Sequence, residues 1–309
     1  MKIISFPSLF NQNTLINNRH YFNKQSCDVV SFSAISKTEI NEIRKEIAPF
    51  LKSKNIVGLY KYFGIDVKRD NDGLLVLSEY HQPSAKYTYK DIGINEDALF
   101  SRVKIIEGEA NFGKSSITEF KNLKSIKGNA KFYCSKMQSL GSLEEIGGHV
   151  HFYGAKITDL GELRKIGGQA RFSECRLTSL GKLEEIGEQA SFTNSKVVDL
   201  GSLKRINGHA YFCDSKIKDL KNLTYIGGNA DFSYSLVEDL GELKEIGGTA
   251  RFQSAPLTSL GKLEYIGCDL DISETKITDI SSLKSVGGRI DYNPQKIPSD
   301  IVSKISFFK

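Results

Sequence analysis

The chain has 309 residues, with 42 Lys+Arg against 37 Asp+Glu (net charge +5), and is 39% apolar and 26% charged. That is the balance of a globular protein rather than a disordered one, and no apolar run approaches the ~18 residues of a bilayer span. The charge excess is +2 before residue 101 (13 basic, 11 acidic) and +3 after it (29 and 26), so no basic tail or acidic block marks a nucleic-acid binder.

Residues 1–35 are rich in Asn and Ser, lack a sustained period and are expected to be loosely ordered. The opening MKIISFPSLFNQNT lacks the apolar core and small-residue cleavage site of a secretory signal, which favours a cytoplasmic protein or one exported without a cleaved signal. Residues 36–100 read as a small α/β capping segment. Ser36 with Glu39 three residues later forms a capping box, and Ile40, Ile43 and Ile47 continue at helical spacing up to Pro49. NIVGLYKYFG predicts a second helix ending at Gly64. GLLVLSEY (73–80) predicts a strand, and KYTYKDI (86–92) is a candidate for another.

From Ser101 to about residue 300 the chain falls into ten rows of 20 without an insertion. With each row numbered from slot 1 to slot 20, slot 3 is Leu from Leu123 to Leu283, and slot 6 is Ile until Val286. Slot 12 is Phe from Phe112 to Phe252, followed by Ile272 and Tyr292, and slot 20 is Leu from Leu140 to Leu260. No such row can bury its apolar positions alone, so stacked rows must share one continuous core. Slots 9–13 alternate apolar and polar, predicting a half-buried strand with slots 10 and 12 inward and 9, 11 and 13 outward. Of the 27 Gly, 23 lie after residue 100, chiefly in slots 1, 7 and 8, and the pair at slots 7 and 8 suggests a bend with φ > 0. Slot 19 is Asp or Ser in nine rows, an acceptor suited to capping a brief helical turn. Twenty residues leave no room for a full helix, so the outer side should be short 3₁₀ turns or extended chain. Residues 301–309 are a C-terminal tail.

A row such as ARFSECRLTSLGKLEEI has the spacing A-x-F-x-x-C-x-L-x-x-L-x-x-L-x-x-I. It resembles the leucine-rich repeat, L-x-L-x-x-N-x-L, in a short 20-residue bacterial form. Ala170 and Phe172 stand at the first two apolar sites, and Cys175 at the Asn site, which Ser115, Ser135, Ser195, Ser215, Ser235 and Thr275 hold in other rows. The resemblance covers about 200 residues and implies a β-dominated α/β solenoid of about ten coils with a parallel sheet. It further implies a protein-interaction module that binds through the sheet face.

Several patterns invite a chemical reading. GEANFGKS (Gly108, Gly113, Lys114, Ser115) matches the P-loop spacing, yet Gly108, Ala110, Phe112 and Ser115 occupy their repeat slots and no long helix is expected to follow. His149 and His151 share one outward face, but the next candidate ligand, His209, is three rows and roughly 14 Å away, too far for a zinc ion. Five Cys with no C-x-x-C pair form neither a disulfide framework nor a zinc ribbon, and Cys134 and Cys213 are possible exposed thiols without a convincing base beside them. Slot 16 aligns Lys136, Lys156, Arg176, Lys196 and Lys216 along one edge, which reads as a solvated edge ahead of a polyanion site. The outward sheet face carries Lys131, Tyr133, His149, His151, Tyr153, Arg171 and Tyr211, with Asn129 beside them and Asp231, Asp269, Asp271 and Asp291 further on. Tyr, His and Arg clustered on an open sheet are the composition of a recognition surface. The expected protein is a monomer without cofactor, metal, nucleic acid or membrane span that binds another protein through these seven residues. A glycan- or surface-binding adhesin is the second reading, and a small enzyme or thiol-dependent effector the third.

Overall fold

The computed structural model describes residues 35–295, 297–299 and 301. The expectation of loose order over 1–35 falls outside the described residues apart from residue 35, as does the tail apart from Ile301. Helix α1 (Lys37–Lys52) begins on the expected capping box, with the Ser36 hydroxyl accepting from Glu39 N–H at 3.2 Å and Glu39 accepting from Ser36 N–H at 2.8 Å. It runs through Pro49 instead of stopping there. Proline in the last turn forfeits a single donor, while its carbonyl still accepts from Ser53 N–H at 3.0 Å. Helix α2 (Ile56–Tyr62) follows and closes on Gly64 at φ 79°.

Strands β1 (Val67–Arg69) and β2 (Leu75–Leu77) form an antiparallel hairpin, so the strand expected over 73–80 is shorter and gains a partner. Residues 86–92 are a turn, not a strand. Asp91 accepts from the Thr88 N–H at 2.8 Å and its hydroxyl at 2.9 Å, closing the chain locally while Tyr89 packs inward. A short helix, α3 (Glu96–Phe100), follows, capped by Asn95.

The remainder is a β-solenoid of stacked 20-residue coils. Strand β2 pairs in parallel with β3 (Val103–Ile106), which seeds a first sheet. Each later coil contributes slots 5–6 to that sheet, from β5 (Ser125–Ile126) to β21 (Ser285–Val286) among the odd-numbered strands. Slots 10–11 build a second parallel sheet of ten strands, from β4 (Ala110–Asn111) to β22 (Ile290–Asp291) among the even-numbered ones. Every pairing in the second sheet joins residues 20 apart, as in Ala170 opposite Val150 and Ala190. The sequence reading anticipated one sheet; the slot 5–6 strand escaped it because two residues, both charged in five of the ten rows, separate the apolar residue at slot 3 from the one at slot 6, masking the alternation. The third side of each coil, slots 15–18, is extended chain without a helix, and it bonds from coil to coil through contacts such as Thr158 N–H to the Gln138 carbonyl at 2.9 Å.

Inside the coils, slots 3, 6, 10, 12, 17 and 20 are buried as the pattern required, apart from Ile290 and Tyr292 of the last coil, which are half-buried. The Phe at slot 12 form a continuous stack from Phe112 to Phe252, with centroids 4.8–5.8 Å apart and planes within 4–21° of parallel. Tyr80 extends the stack into the cap, 4.9 Å from Phe112. Slot 15 lies inward throughout, from Ser115 to Thr275, as the inner ladder of small residues demands.

The corners differ from expectation. Slot 19 side chains do accept from backbone, but from the N–H two residues on, as in Asp159 to Gly161 at 2.9 Å, in tight turns with no helix. The left-handed backbone belongs to slot 1, as at Gly161 (φ 57°), and not to the pair at slots 7 and 8. Gly167, at slot 7, is needed for closeness: a Cβ there would overlap the Gly147 carbonyl oxygen of the coil before. Slot 14 is also left-handed, in residues as varied as Lys114, Asn194 and Tyr234.

Candidate functional site: the outward face of the second sheet

Slot 11 of each coil points outward from the second sheet. Strands β6 (Ala130–Lys131), β8 (Val150–His151) and β10 (Ala170–Arg171) place Lys131, His151 and Arg171 directly opposite one another in successive register. Three nitrogen-bearing side chains therefore lie on neighbouring strands, ~4.8 Å apart along the stack. Ser191, Tyr211, Asp231, Arg251, Asp271 and Asp291 continue the line, so one end of the face is basic and the other mainly acidic.

His151 feels that neighbourhood. Burial, then the charges of Arg171, His149 and Lys131, hold its imidazole below the usual histidine range. Arg171 is exposed and reaches the Gln169 side-chain oxygen at 3.4 Å. Tyr211 is half-buried, its hydroxyl pushed up first by burial and then by Asp231, and its ring lies 6.3 Å from that of His209.

Other residues of the predicted set are tied into rungs. Lys131 pairs with Glu109 at 3.3 Å. The Tyr133 ring covers Gly113, and its hydroxyl accepts from the Asn111 amide at 3.3 Å. Tyr153 donates to Glu174, though burial is the main cause of its raised hydroxyl pKa. His149 works along the stack: its Nδ1 accepts from the Gln169 N–H at 2.9 Å, which places its proton on Nε2. Asn129 likewise accepts from His149 N–H at 2.7 Å, His209 from Asn229 N–H at 2.9 Å, and Asn229 from Thr249 N–H at 2.9 Å. Slot 9 is thus a ladder of short acceptors that caps the next coil.

The structure accordingly brings Lys131, His151 and Arg171 together, flanks them with Tyr133 and Tyr153, and sets Tyr211 two coils beyond Arg171. Sequence reading missed the acids beside the face: Glu109, which pairs with Lys131, Glu174, which accepts from Tyr153, and Glu188, 3.7 Å from the unprotonated Nδ1 of His149. Only Glu188 carried a signal, since it replaces the Gly that most coils hold at slot 8.

The P-loop-like segment is built into the stack. Ser115 is fully buried and donates to Glu96 at 2.9 Å, and Lys114 sits at a left-handed corner. The free thiols among the described residues are Cys175, Cys213 and Cys268; Cys134 is not one of them. Burial, then Asp231, pushes the Cys213 thiol up to about 12, far from the pKa of an activated nucleophile. Among the described residues no group of three or more His, Cys, Asp or Glu is placed to hold a metal ion, and no helix is long and apolar enough to cross a membrane.

No protein-family model, curated protein or solved structure matches the chain.

Proposed function

We propose that the chain is a non-enzymatic protein-interaction module of leucine-rich-repeat type, binding its partner across slots 11 and 13 of the second sheet. The observation that carries this reading is the register. Lys131, His151 and Arg171 lie on adjacent strands, and half-buried Asp271 and exposed Asp291 stand at the other end of the same line, beyond buried Asp231 and exposed Arg251. Such a face suits an elongated partner surface that is acidic at one end and basic at the other. Tyr133, Tyr153 and Tyr211 supply rigid aromatic area beside the charges, as recognition surfaces do.

The test is quantitative affinity capture with the chain as bait, comparing wild type with the double variant Tyr153→Ala, Arg171→Glu. The partner should be lost by about tenfold or more, the scale of a hot-spot substitution, while the melting temperature stays the same. Unchanged capture by a folded variant refutes the reading. A glycan-binding adhesin would reveal itself through saturable binding to a glycan array that the same variant abolishes.

A further inference from the structure

Across much of the solenoid, outward cations meet acids of the neighbouring coil. On the first sheet, Lys124 pairs with Glu144, Arg164 and Lys204 both reach Glu184, and Lys284 pairs with Glu264. The third side of the coils breaks this rule at slot 16. Lys136, Lys156, Arg176, Lys196 and Lys216 occupy that slot in five consecutive coils, all exposed. Among the described residues none of the five forms an ion pair, although the stack can make such rungs two slots along, where Lys218 meets Glu238 at 2.9 Å. Slot 16 holds no acid in any coil. Slot 18 opposite the five is Gln138, Thr158, Thr178, Val198 and Lys218. The nearest acids along the chain, Glu174 and Asp214 at slot 14 and Asp159, Asp199 and Asp219 at slot 19, form no ion pair with any of the five among the described residues; Glu174 accepts from Tyr153, and Asp199 pairs with Lys221 at 2.8 Å. The row spans four coil rises, about 19 Å at the spacing of paired strands.

A second observation concerns what stands beside the row. Leu236 continues slot 16 in the next coil and is 48% exposed, and Tyr234, on the left-handed corner two residues before it, is 61% exposed. Val198, on the same side at slot 18, is 49% exposed. Three of the six large apolar side chains that the described residues leave exposed therefore lie on this side of the coils. A purely solvated edge has no need of them, and a soluble polyanion would leave Leu236 and Val198 in water.

We infer that the slot 16 row, with Tyr234, Leu236 and Val198, is a docking surface for an anionic lipid membrane, the cations lying against headgroups and the apolar side chains entering the interface. Unpaired cations are drawn to a negative leaflet, and protruding apolar residues add area-dependent affinity once there. The cations of this surface stand at slot 16, five residues along each coil from the slot 11 row of the second sheet.

The experiment is co-sedimentation of the full chain with phosphatidylcholine vesicles, with and without phosphatidylglycerol, at low and high salt. The chain should bind the anionic vesicles, ignore the neutral ones and dissociate at high salt. Lys156→Glu, Arg176→Glu, Lys196→Glu together should lower vesicle partitioning by at least about tenfold. Tyr234→Ser with Leu236→Ser should lower it several-fold without altering the salt dependence. The glutamine triple at the same positions, with thermal melts for all variants, guards against a reversal variant that does not fold. Equal binding to neutral vesicles, or unchanged binding by the folded triple variants, overturns the proposal. So does capture by heparin or single-stranded DNA that matches vesicle binding and is indifferent to Tyr234 and Leu236. None of these outcomes depends on Tyr153 or Arg171, so the surface stands or falls apart from the sheet-face reading.

Discussion

His151 sits between Lys131 and Arg171 on adjoining strands, and burial with those two charges makes its protonation costly in the folded state. The sign follows from linkage. The unfolded chain takes up the proton near the ordinary value of about 6.5, while the folded chain takes it up only at lower pH. Stability contributed here is fully present above about pH 6.5 and is lost as the pH falls through the lowered folded value. Denaturation midpoints measured across that range should fall for wild type more steeply than for His151→Gln. Parallel profiles would mean that the ring is not held neutral by its neighbours. His149, two residues away, also has a task within the stack: its Nδ1 accepts the Gln169 N–H and continues the slot 9 ladder.

At the level of elements, the junction between the cap and the first coil is built on one carboxylate. Glu96, at the start of α3, is 1% exposed. It accepts from Tyr80 at 2.9 Å, Gln82 at 2.8 Å, Ser115 at 2.9 Å, and the Ser116 N–H and hydroxyl at 2.6 Å each. Those donors come from the cap and the first coil alike, so the carboxylate fastens one to the other. Glu96→Ala strands several buried donors and should cost about 3 kcal/mol or more, since each unsatisfied donor alone costs about 1–3. Chemical denaturation should show this as a lower midpoint, and a midpoint equal to wild type would contradict the assignment. Nothing near Glu96 in the sequence announces this role, because its partners are 14 to 20 residues away. The solenoid core, by contrast, was legible in the chain: Leu at slot 3, Ile at slot 6 and Phe at slot 12 can be buried only by stacking in register. The slot 5–6 strand was not, since pairs such as Lys165 with Glu185 hold outward charges in a sheet that apolar spacing does not reveal. Nor were the left-handed corners at slot 14, where side chains as different as Lys114 and Tyr234 share one backbone conformation.

Over the whole molecule, the 20-residue period converts a local pattern into faces with distinct character. The first sheet neutralises its outward charges through rungs between coils. On the third side the five slot 16 cations from Lys136 to Lys216 form no ion pair among the described residues and stand near exposed Tyr234 and Leu236. The second sheet grades from Lys131, His151 and Arg171 towards Asp271 and Asp291. Register alone creates this division, since a shift of one residue in any coil would exchange inward and outward side chains. Interaction through the second sheet is the functional claim to which the rest leads. Its most direct test is backbone hydrogen exchange of the full chain, free and with its captured partner. Protection should gather over 129–133, 149–153 and 169–173 and extend towards Tyr211. Protection confined to the capping segment 36–100, or to the slots 4–6 of the first sheet, would contradict it.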